Sequence, residues 1–95
     1  MPFADSAFKH GITEDQIRHV IEHWQPPFLI ASARDPATDV LLFVGEDAAG
    51  VPLEVIAVEE QRWDGEWELV VLHAMRLRPV YRHFYEEALQ WRQHD

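Results

Sequence analysis

The sequence predicts a small α+β domain, a four-stranded antiparallel sheet with an N-terminal and a C-terminal helix packed on one face. Three observations predict it. Thr13-Glu14-Asp15-Gln16 opens an apolar stripe of helical period, four short apolar runs follow between residues 28 and 74, and Pro79 opens a second helical stripe.

Thr13 is placed to cap the first helix, and Gln16 stands at the capping-box position. Ile12 and Ile17 bracket the cap as a hydrophobic staple, and Ile17, Val20, Ile21 and Trp24 form the buried stripe. Pro26-Pro27 stops the helix, because neither nitrogen can donate and the residue before a proline avoids the helical region. Strands are expected over 28–33, 40–44, 53–58 and 69–74, with Gly45 closing the second. The last two are apolar on both alternating faces, as covered central strands are. Between them, Asp64-Gly65 reads as a two-residue type I′ turn, which sets His73 opposite Ile56 with Glu54 as its diagonal neighbour. Pro79 suits a first helical position, and Tyr81, Phe84, Tyr85, Ala88 and Trp91 then share a face.

At 95 residues and 11.1 kDa the chain is enough for one domain over 1–95 and too short for two. A 47 % hydrophobic fraction excludes a disordered polar chain. The absence of cysteine excludes disulfides, thiolate zinc sites and cysteine nucleophiles. No apolar run approaches the roughly 20 residues of a membrane span, and the opening residues lack a signal pattern. A cytoplasmic protein with no membrane contact is expected.

The net charge of −9 opposes nucleic-acid binding by the surface as a whole, since that affinity comes from Lys and Arg displacing counterions. The acids are concentrated, however. Residues 35–68 carry ten against one base, Arg62, whereas His73 to Tyr85 contains Arg76, Arg78 and Arg82 and no carboxylate. A local basic site is therefore allowed.

Several clusters bear on chemistry. His73-Ala74-Met75-Arg76-Leu77-Arg78 closes the last strand, where arginines could grip a phosphate and an imidazole could move a proton. The competing reading is a strand histidine with arginines paired to the acidic block. Lys9-His10-Gly11 precedes the first helix, and Gly11 suits a left-handed corner. His19-Val20-Ile21-Glu22-His23 spells a zinc-peptidase pattern, but both histidines point away from the apolar stripe and read as ordinary surface residues. Trp24 and Trp91 fall on apolar stripes. Trp63 and Trp67 flank the hairpin turn among acids, which favours a partner protein or mutual packing over stacking on a base.

Lys9-His10-Gly11-Ile12-Thr13, followed by an acidic amphipathic helix, resembles the K-H-G-V/I-S/T opening of BrnT-type toxins. Val71-Leu72-His73-Ala74-Met75-Arg76 and Tyr85-Glu86-Glu87 look like that family's strand I-I-S-A-R-R/K and its helix ending Y-E-E. His73 stands where the motif has serine, and Met75 where it has its first arginine. The resemblance implies a RelE/ParE-like fold, metal-independent RNA cleavage with no cofactor, and neutralisation by a ribbon-helix-helix antitoxin from an adjacent gene. It also carries the family's positions onto Lys9, His10, Arg76 and Tyr85.

Two functions follow. The first is the toxin of a type II toxin–antitoxin pair, a ribonuclease with Glu54 or His73 as base and His10 or His73 as acid. Arg76 would act beside them, and Lys9, Arg78, Arg82 and Tyr85 would bind RNA; His73, Arg76 and Lys9 are expected to converge on one space. The second is a non-catalytic toxin-like module whose acidic 35–68 block receives the antitoxin. A homodimer is compatible with either.

Overall fold

The computed structural model describes residues 1–24 and 26–93. Helix α1 (Glu14–His23) is followed by strands β1 (Phe28–Ala31), β2 (Asp39–Glu46), β3 (Pro52–Gln61) and β4 (Trp67–Arg76), then by helix α2 (Arg82–Gln93). The strands form one antiparallel meander in the order β1-β2-β3-β4. Short 3-10 turns precede each helix, at Asp5–Phe8 and Pro79–Tyr81. None of the described helices is long and apolar enough to cross a membrane.

The start of α1 is written locally. The Gln16 amide donates to Thr13 Oγ1 at 3.2 Å while the Thr13 amide donates to Gln16 Oε1 at 2.8 Å, a complete capping box. Ile12, Ile17, Val20, Ile21 and Trp24 are all buried, as the stripe requires.

The two helices lie against opposite faces of the sheet, not one. Trp24, at the C-cap of α1, stacks over Gly45, where an added Cβ would sit 2.1 Å from the indole Cγ. The neighbouring residues of β2 point the other way, and there α2 packs. Phe84 and Trp91 lie 4.8 and 5.6 Å from Phe28, which pairs with Leu42, and the Tyr85 hydroxyl donates to Glu46 at 2.5 Å. The reason is in the strands themselves. Leu42 and Val44 on one face and Phe43, Leu53, Val55 and Ala57 on the other are all buried, so neither face can be left to water. Gly45 accordingly continues β2 instead of ending it: its missing side chain makes room for Trp24.

The β3–β4 hairpin also departs from expectation. Its loop has three residues, Trp63, Asp64 and Gly65, with Gly65 at φ +87°. The Gly65 amide donates to the Arg62 carbonyl at 3.0 Å and the Arg62 amide to the Glu66 carbonyl at 2.7 Å. That is the three-residue turn in which a left-handed glycine restores the ladder. Pairing then runs from Gln61–Trp67 to Ala57–Val71, after which Leu72 is an extra residue and Ile56 pairs with His73. The bulge adds the one residue that the turn took away. His73 therefore faces Ile56 as expected, by a route the turn signal did not contain.

The N-terminal segment covers part of the β4 edge. Phe3 bridges to Val71 in parallel, and Ser6 Oγ donates to the carbonyl of the bulged Leu72 at 2.5 Å. This contact fixes where Lys9 and His10 lie. One core cluster unites α1, the sheet and Tyr85 of α2.

Candidate functional site

Glu54 lies near the start of β3, fully buried, on the same face of the sheet as His73. Its carboxylate accepts four hydrogen bonds. His73 Nε2 donates to Oε2 at 2.9 Å, and Arg78 Nε and Nη2 donate to the same oxygen at 2.9 and 2.6 Å. The Arg78 amide donates to Oε1 at 2.8 Å. Burial pushes the Glu54 carboxyl up, but the bonds from His73 and Arg78 together outweigh it and hold its pKa below the ordinary value. The bond to Glu54 in turn raises the Arg78 guanidinium further. The carboxylate is ionised at neutral pH, so Nε2 of His73 carries a proton, and Nδ1 is the ring nitrogen without a protein partner among the described residues.

His73 borders an open cavity of about 500 Å³. Lys9, Arg34 and Arg78 line it together with Tyr81, and none of the described carboxylates does. Lys9 and Arg34 form no ion pair among the described residues. The Arg78 guanidinium carbon stands 5.4 Å from the Tyr81 ring centre, so the arginine is clamped between a carboxylate and an aromatic face. His10 meets His73 edge to face, with ring centres 5.4 Å apart. Gly11 at φ +79° makes the corner that brings His10 there.

Arg76 does not join this group. Pairing with Leu53 directs it to the opposite face, where it lines a second cavity of about 430 Å³ with His10, Gln16 and Asp47. There, the hydrogen bond from Gln16 and those from the Val51 and Ala49 amides hold the Asp47 carboxyl below its usual range. Arg82 and Tyr85 border a third opening with Arg76. Arg82 is paired to Glu86 at 3.3 Å. Tyr85 is buried against Glu46; burial first and that bond second push its hydroxyl up to about 12. Of the expected residues, the fold thus gathers His73, Lys9 and Arg78 at the first cavity with Glu54 beneath them, sets His10 against His73 but in the lining of the second cavity with Arg76, and leaves Arg82 and Tyr85 elsewhere.

Two cavity residues were not anticipated. Arg34 sits in the β1–β2 connection, within a stretch that reads only as a turn. Tyr81 reads as one member of an apolar stripe, and its cavity position follows from the 3-10 turn ahead of α2. His19 and His23 stack at 4.3 Å, each donating through Nδ1 to a backbone carbonyl. No described group of three or more His, Cys, Asp or Glu residues has the geometry to hold a metal ion.

No family model, curated protein or solved structure matches the chain. The chemistry must be argued from the cavity itself. An imidazole with one nitrogen fixed by a buried carboxylate, a second imidazole against it and two cations, Lys9 and Arg34, that pair with no described carboxylate can move protons next to a bound anion.

Proposed function

We propose that this chain is a toxin-like, RelE-related domain that cleaves RNA without a metal, as the half of a type II pair that a ribbon-helix-helix antitoxin neutralises. The observation that supports this reading is the cavity bordered by His73, Lys9, Arg34 and Arg78 with no carboxylate among the described residues on its walls. It is a local anion site on a chain of net charge −9.

In this reading His73 Nδ1 removes the proton of the ribose 2′-hydroxyl. The attacking oxygen forms the bond to phosphorus, the 5′-oxygen departs and His10 protonates it, leaving a 2′,3′-cyclic phosphate. Glu54 is a positioning residue: its oxygens are inaccessible and fully engaged, and it fixes the ring and stabilises the imidazolium. Lys9 and Arg34 meet the developing phosphorane charge, and Arg78 is a positioning residue that holds Glu54. In the same reading Arg76, which lines the second cavity with His10, meets a flanking phosphate.

The test is cleavage of a mixed-sequence RNA by the purified, partner-free protein in the presence of a chelator. His73→Ala is expected to lower the rate by about 10²-fold or more, with cyclic-phosphate ends in the residual product. Equal rates in the wild type and the His73→Ala variant would remove His73 from the mechanism. Complete inactivity of folded wild type would favour the second reading, a non-catalytic module that engages the antitoxin. That reading draws its support from the two tryptophans exposed on the acidic β3–β4 hairpin.

A further inference from the structure

The distal half of the β3–β4 hairpin is built for contact rather than for folding. Trp63 is 94 % exposed and Trp67 64 % exposed. Leaving two indoles in water forgoes the largest apolar burial available to side chains. Glu60 pairs directly with Glu68 across the strands, and like charges in that position destabilise a ladder. Glu59, Asp64 and Glu66 crowd the same segment, against the single base Arg62.

The turn between the tryptophans is nevertheless firmly held. Besides its two backbone bonds, Gln61 Nε2 donates to the Gly65 carbonyl at 3.0 Å, the Glu66 amide donates to Asp64 Oδ1 at 3.1 Å, and Arg62 pairs with Asp64 at 3.1 Å. Exposed aromatics on a preorganised loop lose little freedom when a partner covers them. Tryptophan is also among the residues that dominate binding energy at protein interfaces.

Charge selects the occupant. A nucleic acid is repelled by the five acids of residues 59–68, and a second copy of the same surface would set those acids against each other. We infer that the Trp63–Trp67 hairpin is a docking surface for an arginine- or lysine-rich segment of a partner protein, whose cations stack on the indoles and are drawn in by the field of these five acids, of which Glu59 shares the face of Trp67. Six residue steps along the strand separate Trp67 from His73, about 20 Å. The partner therefore anchors away from the cationic cavity, and binding here does not depend on whether that cavity cleaves RNA.

The experiment follows backbone-amide and indole resonances of the full-length protein while a 16-residue arginine/leucine/alanine helical peptide is added, with its glutamate-for-arginine counterpart as control. The cationic peptide is expected to shift residues 59–68 and the Trp63 and Trp67 indoles, and the acidic peptide to shift neither. A Trp63→Ala/Trp67→Ala double variant should bind at least tenfold more weakly. Glu60→Gln/Glu68→Gln should also bind more weakly while melting at a higher temperature than wild type, a combination that loss of folding cannot produce. Unchanged affinity in the tryptophan variant, shifts centred elsewhere, hairpin shifts on adding single-stranded RNA, or a hairpin-mediated dimer in sedimentation would each overturn the inference.

Discussion

At the scale of single residues, Glu54 joins three parts of the chain: it ties β3 to His73 on β4 and to Arg78 beyond it. Its lowered pKa makes that tie dependent on pH in a defined direction. The unfolded chain binds a proton to this group at a higher pH than the fold does, near the ordinary value of 4.5. Its contribution to stability is therefore complete above that value and lost as pH falls through the lowered one. Glu54→Gln is expected to cost about 1–3 kcal/mol at neutral pH and to flatten the decline of stability below about pH 4.5. Urea midpoints measured from pH 3 to 7 check this; an unchanged acid decline in the variant would refute the assignment. The Glu54–His73 pair was legible in the sequence because both residues lie on adjacent strands, where alternation and register determine the face. The role of Arg78 was not, since it depends on how the chain turns after β4 and on a backbone amide, for which side-chain identity gives no sign. Arg34 was hidden for a related reason: it reaches the cavity from a loop nearly forty residues away in sequence.

At the scale of elements, the helix start was fully readable, because a capping box is completed within four residues. Strand ends were less so. Gly45 carries a local signal for a turn, yet a tertiary contact decides its role: the space beside it is filled by Trp24. Gly45→Ala is expected to destabilise the fold by about 2–3 kcal/mol through overpacking, with the Trp24 ring displaced. A Trp24→Leu/Gly45→Ala double variant should recover part of the loss measured from the two single changes, and strict additivity in that thermal or urea cycle would contradict the contact. The turn length and the bulge escaped sequence reading together. Asp-Gly is compatible with both two- and three-residue loops, and the extra residue at Leu72 is stabilised by Ser6 from the far end of the chain.

At the scale of the whole molecule, the apolar alternation of β3 and β4 already called for cover on both faces, and placing both helices on one face ignored it. Charge is the other property of this scale. A surplus of nine negative charges repels itself, whereas the cavity concentrates cations. Salt should thus act in opposite senses. Raising ionic strength from about 0.01 to 0.15 M is expected to raise the melting temperature while weakening RNA binding. Two or three cations in contact with a single strand predict a log–log slope between about −1.4 and −2.1. A flat RNA titration across that range would argue against the cavity as the contact. The bulge at Leu72 has a reach of its own, because it gives the longest ribbon of the fold one residue of slack. Trading the three-residue loop for a two-residue one would absorb that slack and rotate Trp67 and Glu68 onto exchanged sides, while Ile56 and His73 stayed in step. Selection can therefore rewrite what the tip of the hairpin presents without retuning the chemistry at its base.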